Sequence, residues 1–356
     1  MHEDGPSTRT IHAGLPEPVQ GEPMLPGPVL AAPYHLRGAA DSAPYGYGRD
    51  GNPTWTHLER ALGELDGGET VVFSSGMAAV TAAILPRMRP GGVLVAPRDG
   101  YPGIRKLAEE QLRPGGIEVR LVPTDTEAIV AAADGADVVW VESPSNPRLD
   151  VCDLDAIAAA AHASGGLFGV DNTVATPLGQ RPLDHGADFA MLSGTKSLTG
   201  HSDVLLGAVS VRDPALADEL RGWRSHSGAI LGPFEAWLAH RSIATLGLRL
   251  ERSQANARAV ADALAARDDV TDARWPGVGP VVAMVLSSAE HAQAFLGACT
   301  LVSEATSFGG VHSTAERRAR WGTDDVPEGF IRFSAGCEDT ADLVADVLNA
   351  LEQTSR

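Results

Sequence analysis

The chain has 356 residues, of which 44% are hydrophobic, and a formal net charge of −18 at pH 7. This acidic balance argues against nucleic acid or an anionic membrane as a partner, and no apolar run approaches the ~20 residues of a membrane helix. Three widely spaced cysteines, together with an N terminus that lacks a basic run and an apolar core, predict a soluble cytoplasmic protein without a signal peptide.

Residues 1–45 are rich in Pro and Gly and predict an extended arm that lies on its own domain or on a neighbouring subunit. The segment Gly46–Gly51 then matches the GxGxxG pattern of dinucleotide sites. We reject this match because no apolar strand precedes it and because Asn52-Pro53 follows where the helix should begin. Apolar residues along one side predict a helix over Thr54–Leu65.

From residue 70 onward, continuous apolar runs alternate with alanine-rich helical segments. This alternation predicts a mainly parallel sheet of seven strands, covered on both faces, with ligands bound beyond the carboxyl ends of the strands. We expect residues 46–232 to form this α/β domain. The predicted strands are Thr70–Phe73, Val93–Ala96, Glu118–Val122, Asp137–Val141, Leu167–Val170, Phe189–Leu192 and Leu205–Val211.

The last third of the chain predicts a smaller domain. A long helical segment, roughly Pro233–Ala266, joins the two parts, and we expect residues 233–356 to form a small α+β domain that includes it. The other predicted elements are strand Val281–Leu286, helix Ala289–Cys299, strand Phe330–Phe333 and helix Asp339–Glu352.

Small polar residues follow the first predicted strand. Ser74-Ser-Gly-Met77 opens a helix, so Ser75 can cap it, and the free N–H groups at the helix start form an anion site. Ser193 and Thr195 offer hydroxyls that could hold the same anion. A plain helix cap is the alternative interpretation. The spacing of a nucleotide-binding P-loop is absent, so a nucleoside triphosphate is not favoured.

Lys196 stands out because it and Lys106 are the only lysines of the chain. It lies just past the predicted strand Phe189–Leu192. A partly buried ammonium group can lose its proton and attack a carbonyl carbon, whereas a guanidinium group stays protonated. A surface-loop lysine is the alternative, but the flanking hydroxyl residues and the following Gly-His-Ser-Asp turn favour a Schiff-base lysine.

Other strand ends carry groups that suit an aromatic, phosphorylated cofactor. Asp171 follows a predicted strand and suits the protonated nitrogen of a pyridine ring, although capping of the next loop is the alternative. Tyr101 could stack on an aromatic ring, and Asn146 supplies an amide. Together with Lys196 and the anion site, these residues predict pyridoxal 5′-phosphate as the cofactor, and we predict no metal site.

With these residues in view, the sequence resembles the Cys/Met-metabolism pyridoxal-phosphate enzymes over nearly its whole length. The resemblance implies fold type I, the fold of the aspartate aminotransferase-like enzymes. Seven motifs carry it in order: Thr10–Gly14, Tyr47–Thr54, Ser74–Met77, Glu142–Pro147, Val170–Thr173, Gly194–Lys196 and Arg332–Glu338.

The resemblance also implies roles for individual residues. Lys196 would bind the cofactor covalently and carry protons, Asp171 would pair with the ring nitrogen, and Tyr101 would stack on the ring. Arg332 would bind the substrate α-carboxylate, a bidentate task that suits a guanidinium group. The phosphate would be held by Ser75, Gly76, Met77, Ser193 and Thr195. Asn146 and Ser307 would help to bind the cofactor or the substrate carboxylate.

In this family, residues equivalent to Tyr47 and Arg49 reach the phosphate from the adjacent subunit, and Tyr47 also borders the substrate. The resemblance therefore implies a homo-oligomer, which we expect to be a tetramer built as a dimer of dimers. An amino acid is the expected substrate.

The expected activity is γ-elimination from cystathionine, giving cysteine, 2-oxobutyrate and ammonia. γ-Replacement on an O-acylhomoserine comes second, and methionine γ-elimination is less favoured because Gly103 stands where methionine γ-lyases carry Cys. Thr306, His312 and two short segments depart from the family pattern around the substrate. Outside the family, a nicotinamide-dependent oxidoreductase has only the rejected GxGxxG match in its favour, and nothing favours a non-catalytic interaction protein.

Overall fold

The computed structural model describes residues 4–354 of the chain. Residues 1–3, on which the expected lack of a signal peptide rests in part, lie outside this range, as do 355 and 356.

Seven strands form the first sheet: β1 Glu69–Phe73, β2 Val93–Pro97, β3 Glu118–Val122, β4 Val138–Glu142, β5 Leu167–Asp171, β6 Phe189–Ser193 and β7 Gly207–Val211.

The first sheet has the order β1-β7-β6-β5-β4-β2-β3. Strands β6, β5, β4, β2 and β3 pair in parallel, whereas β7 pairs antiparallel with both β1 and β6. The predicted α/β class with a mainly parallel seven-stranded sheet is therefore confirmed. Most of these strands could be recognised because they are nearly continuous apolar runs, as expected for strands that are buried on both faces. The edge strand β3 differs, because it carries Glu118 and Arg120 and is only partly buried.

Twelve α-helices lie in the described part of the chain. They are α1 Pro6–His12, α2 Pro53–Asp66, α3 Gly76–Ile84, α4 Pro102–Leu107, α5 Thr126–Ala132, α6 Leu154–Ala163, α7 Thr176–Gly179, α8 Pro214–Ser227, α9 Pro233–Ile243, α10 Leu246–Ala265, α11 Ala289–Ala298 and α12 Thr340–Thr354. None of the helices described is long and apolar enough to cross a membrane.

Helix α2 shows how the sequence sets the helix ends. The side chain of Asn52 accepts a hydrogen bond from the N–H of Thr54, and Pro53 occupies the first helical position, where no N–H is needed. Gly67 ends the helix in the left-handed conformation (φ 76°), which glycine adopts without a steric penalty.

Two predictions, one of a single long helix and one of an extended arm, need correction. The segment Pro233–Ala266 is two helices, α9 and α10, because Thr245 (φ −108°, ψ 5°) leaves the helical range between them. The predicted arm is not extended throughout, because it contains helix α1, which packs against α10. The division of the chain at residues 45 and 232 stays a prediction.

A second sheet of four strands lies in the last third of the chain. Its strands are β8 Val281–Val285, β9 Ser303–Glu304, β10 Thr314–Arg317 and β11 Phe330–Ser334, in the order β8-β11-β10-β9. Strands β10 and β11 are antiparallel, and their register places Glu316 directly opposite Arg332.

Apolar side chains of the first sheet pack on both of its faces. Val71 and Phe73 of β1 join one core cluster, whereas Val72 between them joins the cluster on the opposite face. Because β4, β5 and β6 are parallel neighbours, their carboxyl ends lie along one edge, where the register pairs Glu142 with Asp171. This edge carries the candidate site.

Candidate active site

A cavity of about 320 Å³ lies beside the carboxyl ends of β4, β5 and β6 and extends to strand β11 of the second sheet. All but two of the site residues that the sequence predicts line it: Ser75, Gly76, Met77, Tyr101, Asn146, Asp171, Ser193, Thr195, Lys196, Ser307 and Arg332. The exceptions are Tyr47 and Arg49. These two contact each other, with the guanidinium carbon of Arg49 5.5 Å from the centre of the Tyr47 ring.

Lys196 extends its amine into this cavity. Its Nζ donates a hydrogen bond of 2.8 Å to Oγ of Ser307 and lies 5.3 Å from the centre of the Phe308 ring. Burial, followed by the charge of Arg332, lowers the pKa of Lys196 to about 8, while Asp171 opposes this shift. A lysine with this pKa is partly unprotonated near neutral pH and can act as a nucleophile and as a base.

The lowered pKa of Lys196 leads to a testable pH dependence. In a Lys106→Arg variant, Lys196 carries the only side-chain amine, so its acetylation in cofactor-free protein can be followed by mass spectrometry. We expect the acetylation rate to rise with pH around a midpoint of about 8. Adding Arg332→Ala should raise the midpoint because Arg332 lowers this pKa, and adding Asp171→Asn should lower it because Asp171 raises this pKa. A midpoint at the ordinary lysine value of 10.5 would contradict the described burial.

Asp171 is a buried carboxylate held by a single neighbour. Thr173 donates two hydrogen bonds to its Oδ1, one from the backbone N–H (3.0 Å) and one from the hydroxyl (2.5 Å). The Thr173 hydroxyl in turn accepts a hydrogen bond from the N–H of Ser193, which ties the ends of β5 and β6 together. Burial raises the pKa of Asp171, while Thr173 and Lys196 oppose this. Because burial disfavours the charged form of Asp171, a cationic N–H group in the cavity would stabilise this carboxylate.

Glu142 is a second buried carboxyl group at this edge, and the sequence interpretation gave it no role. It accepts hydrogen bonds from the backbone N–H groups of Tyr101 (2.6 Å) and Asn146 (3.1 Å). Burial and the nearby charge of Asp171 raise its pKa well above the usual range. Glu142 thus fixes the two loops that carry Tyr101 and Asn146.

The first turn of helix α3 borders the cavity. Ser75 caps this helix by accepting a hydrogen bond from the N–H of Ala78, so the N–H groups of Gly76 and Met77 have no partner within the helix. A Cβ atom on Gly76 would lie 2.9 Å from Cβ of Ser193, so only glycine permits this close approach. Hydroxyls and free N–H groups at a helix N terminus suit a phosphate group.

Arg332 lies in the same cavity and is 4% exposed. Its Nη1 donates to Oδ1 of Asn146 (2.7 Å), and its Nη2 donates to the carbonyl oxygen of Ser307 (2.9 Å) and to Oε1 of Glu316. Burial lowers the pKa of Arg332 to about 10, and Glu316 opposes this shift. Arg332 therefore stays protonated at neutral pH and can bind a carboxylate.

The structure adds Glu316 and Arg318 to the residues that the sequence identified. Glu316 bonds Arg332, and Arg318 lines the cavity while donating to Oε1 of Glu316 (2.6 Å). The only sequence signal for them is an arginine-rich stretch, Ala315-Glu-Arg-Arg-Ala-Arg-Trp321, just after the motif that departs from the family pattern.

These features fit one cofactor. A nucleophilic amine, a buried carboxylate that favours an N–H cation, an anion site on a helix N terminus and an aromatic side chain border one cavity. This donor set fits pyridoxal phosphate at its aldehyde, ring nitrogen, phosphate and ring face, respectively. The fold and the site thus define a pyridoxal-phosphate-dependent enzyme of fold type I.

The chain belongs to the family of Cys/Met metabolism PLP-dependent enzymes, whose model matches residues 7–352. It is 54% identical over 372 residues to a Streptomyces coelicolor protein named "Putative cystathionine gamma-lyase", covering 99% of this chain and 94% of that protein. It is 36% identical to a cystathionine gamma-synthase of Mycobacterium bovis, covering 98% of this chain and 97% of that protein.

Among solved structures, the chain is similar to a cystathionine gamma synthase from Xanthomonas oryzae pv. oryzae. The TM-score is 0.93, the sequence identity is 31%, and 99% of each chain is covered. The protein is therefore an enzyme of sulfur amino-acid metabolism that uses pyridoxal phosphate, as the sequence predicts.

Proposed function

We propose that this enzyme is a cystathionine γ-lyase, which converts cystathionine and water to cysteine, 2-oxobutyrate and ammonia. The observation that carries this proposal is the 54% identity to the Streptomyces protein of that name, which spans 99% of the chain. The cavity supports the chemistry because an amine of lowered pKa, Lys196, and a buried guanidinium group, Arg332, both border it.

When bound, pyridoxal phosphate supplies an electron sink for the bonds at the substrate α-carbon. We assign its ring nitrogen to Asp171, its aldehyde to Lys196 and its ring face to Tyr101. We assign its phosphate to Ser75, Gly76, Met77, Ser193 and Thr195. Asp171 in its charged form would stabilise a protonated ring nitrogen. The protonated ring withdraws electrons more strongly than the neutral ring.

The chain's own residues bind the substrate and move protons. Arg332 binds the α-carboxylate and orients the α-carbon, with Asn146 and Ser307 fixing the plane of its guanidinium group. Lys196 Nζ takes the proton from the α-carbon and is then available to return it. Ser307 accepts a hydrogen bond from Nζ (2.8 Å) and thereby keeps the amine on the substrate side of the cavity.

Space for the distal half of cystathionine adjoins the first cavity. A second cavity of about 440 Å³ shares Thr306, Ser307 and Phe308 with it and is bordered by His312. We place the leaving thiol and its attached groups here. Thr306 and His312, which depart from the family pattern, would then discriminate between leaving groups.

A cystathionine γ-synthase is the second candidate, supported by the 36% identical Mycobacterium bovis protein and by the similar structure from Xanthomonas. That enzyme would join cysteine to an O-acylhomoserine and release a carboxylic acid. The two activities use the same cofactor and the same contact with the α-carboxylate, so the leaving group distinguishes them.

To test this proposal, the products that the cofactor-loaded enzyme forms from several candidate substrates are measured. We expect 2-oxobutyrate and cysteine in equal amounts from cystathionine, and slower release of 2-oxobutyrate from methionine, homocysteine and O-acylhomoserines. Formation of cystathionine from an O-acylhomoserine and cysteine, without 2-oxobutyrate from cystathionine, would contradict the γ-lyase assignment and support the γ-synthase.

We further propose that the enzyme is a homo-oligomer, expected as a tetramer, whose sites are shared between subunits. Tyr47 and Arg49 do not border the described cavity of their own chain, and Tyr47 is 48% exposed. A mixture of inactive Arg49→Ala and inactive Lys196→Ala proteins should recover some activity, because one hybrid site then contains both intact residues. No recovery after verified subunit exchange would count against sharing.

A further inference from the structure

Arg318 is a second guanidinium group at the edge of the active-site cavity. It begins the short helical turn Arg318–Trp321 that follows β10, and it is 7% exposed. A single guanidinium group, that of Arg332, suffices to bind one substrate carboxylate. The presence of another, almost fully buried beside it, therefore needs an explanation.

Glu316 joins the two arginines. It stands opposite Arg332 in the antiparallel pair β10–β11, and its Oε1 accepts hydrogen bonds from Nη2 of Arg332 and from Nη1 of Arg318. The indole N–H of Trp321 donates to its Oε2 (3.0 Å). Burial alone would raise the pKa of Glu316, but Arg332, Trp321 and Arg318 together hold it below the usual range. Glu316 thus stays ionised in a site where its side chain is 1% exposed.

Arg318 is itself fixed from the side away from Glu316. Asp324 accepts a hydrogen bond from its Nε (2.8 Å) and forms an ion pair with its Nη2 (2.6 Å), and the Asp324 side chain is 1% exposed. Arg105, from helix α4, forms an ion pair of 3.5 Å with Asp324 and donates to the carbonyl oxygens of Thr323 and Gly100. The segment after β10 is therefore attached to the loop that carries Tyr101.

The arginines and carboxylates of this cluster alternate. Glu316 lies between Arg332 and Arg318, and Asp324 lies between Arg318 and Arg105. Arg318 contacts Glu316 through its Nη1 and Asp324 through its Nε and Nη2, so its guanidinium group is already engaged by two carboxylates of the protein. The cluster is therefore suited to presenting Arg332 rather than to binding a second anion.

We propose that Arg318 is a positioning residue: fixed by Asp324, it holds the Glu316 carboxylate, which in turn sets the Arg332 guanidinium group for the substrate α-carboxylate. This inference rests on the proposed role of Arg332. It predicts that loss of Arg318 weakens the binding of every α-amino acid and leaves binding of amines without an α-carboxylate unchanged.

The test measures dissociation constants on the cofactor-loaded enzyme by absorbance, with three probes of similar length. L-Norleucine has only an α-carboxylate, L-2-aminoadipate has a second, distal carboxylate, and pentylamine has none. None of them carries a leaving group at the γ-carbon, so the result does not depend on the γ-lyase assignment. The variants are Arg318→Ala, Arg332→Ala and a control in the same turn, Arg320→Ala, whose side chain pairs with Glu304 at the surface (2.7 Å).

For Arg318→Ala we expect norleucine and aminoadipate to bind roughly tenfold more weakly, because a misplaced binding group loses much of its effect. Pentylamine should bind as in the parent enzyme, and Arg320→Ala should bind all three probes as the parent does. Asp324→Asn removes the charge that fixes Arg318 but keeps the side-chain volume, so it serves as a second variant in case Arg318→Ala fails to fold. It should weaken the binding of norleucine and aminoadipate in the same pattern as Arg318→Ala, by a smaller factor.

Other outcomes would overturn the proposal. Loss of aminoadipate binding alone would show that Arg318 contacts the distal carboxylate directly. Equal loss for all three probes, together with a lower unfolding temperature, would show a merely structural role. If Arg332→Ala itself failed to separate norleucine from pentylamine, the role of Arg332 would be wrong. If Arg332→Ala separated them and Arg318→Ala did not, only the present inference would fail.

Discussion

Replacing Lys196 with Ala is expected to lower turnover by about a thousandfold or more, because one change removes both the covalent attachment of the cofactor and the group that moves the α-proton. The Nζ of Lys196 borders the cavity, and its pKa of about 8 suits proton transfer near neutral pH. We also expect the yellow colour of the covalently bound cofactor to be lost. Steady-state rates and the visible spectrum measure the two effects.

The matched control for Lys196→Ala is Lys106→Ala. Lys106, the other lysine, lies in helix α4 and does not border the cavity described for the chain. Its loss should leave the spectrum and the turnover close to those of the parent enzyme. Normal turnover by Lys196→Ala, or loss of the colour only in Lys106→Ala, would refute the assignment.

Replacing Arg332 with Ala is expected to weaken every amino-acid substrate by a similar factor. A charge-assisted hydrogen bond contributes about 1.5–3 kcal/mol, which corresponds to roughly ten- to a hundredfold in affinity. Every amino acid presents the same α-carboxylate, so the loss should not depend on the side chain. The cofactor should remain bound, because the hydrogen bonds of Arg332 go to Asn146, Ser307 and Glu316 and not to Asp171 or the first turn of α3.

Arg317 provides the control for Arg332→Ala, because it is a neighbouring arginine on β10 that pairs with Glu328 (2.9 Å) outside the cavity. Arg317→Ala should bind substrates normally. His312→Glu, at the border of the second cavity, should instead change the ranking of substrates. If Arg332→Ala impaired one substrate only, or released the cofactor, its assignment to the α-carboxylate would have to be abandoned.

The sheet and the side chains that meet at its carboxyl edge could be predicted because their signals are local. A strand buried on both faces is a continuous apolar run, as in Val138–Val141, and parallel strands bring their ends to one edge. Asp171 and Lys196 each follow such a run, so their proximity could be expected from the fold class alone. The structure places both at the same cavity.

The support around Arg332 could not be predicted because it depends on pairing across the second sheet. Glu316 meets Arg332 only through the register of β10 and β11, and Asp324 reaches Arg318 only because the chain turns back after Trp321. No spacing in the sequence encodes these contacts. The break between α9 and α10 was missed for a different reason: Thr245 is tolerated within helices, and only its backbone angles reveal the interruption.

Identification of the residue that binds the cofactor tests the account most directly. The loaded enzyme is reduced with borohydride, which makes the carbon–nitrogen bond to the cofactor permanent, and is then digested and mapped by mass spectrometry. The account predicts that the cofactor mass is found on the peptide that contains Lys196, at one per chain. A label on Lys106, or no stable label on an enzyme that is active with pyridoxal phosphate, would contradict it.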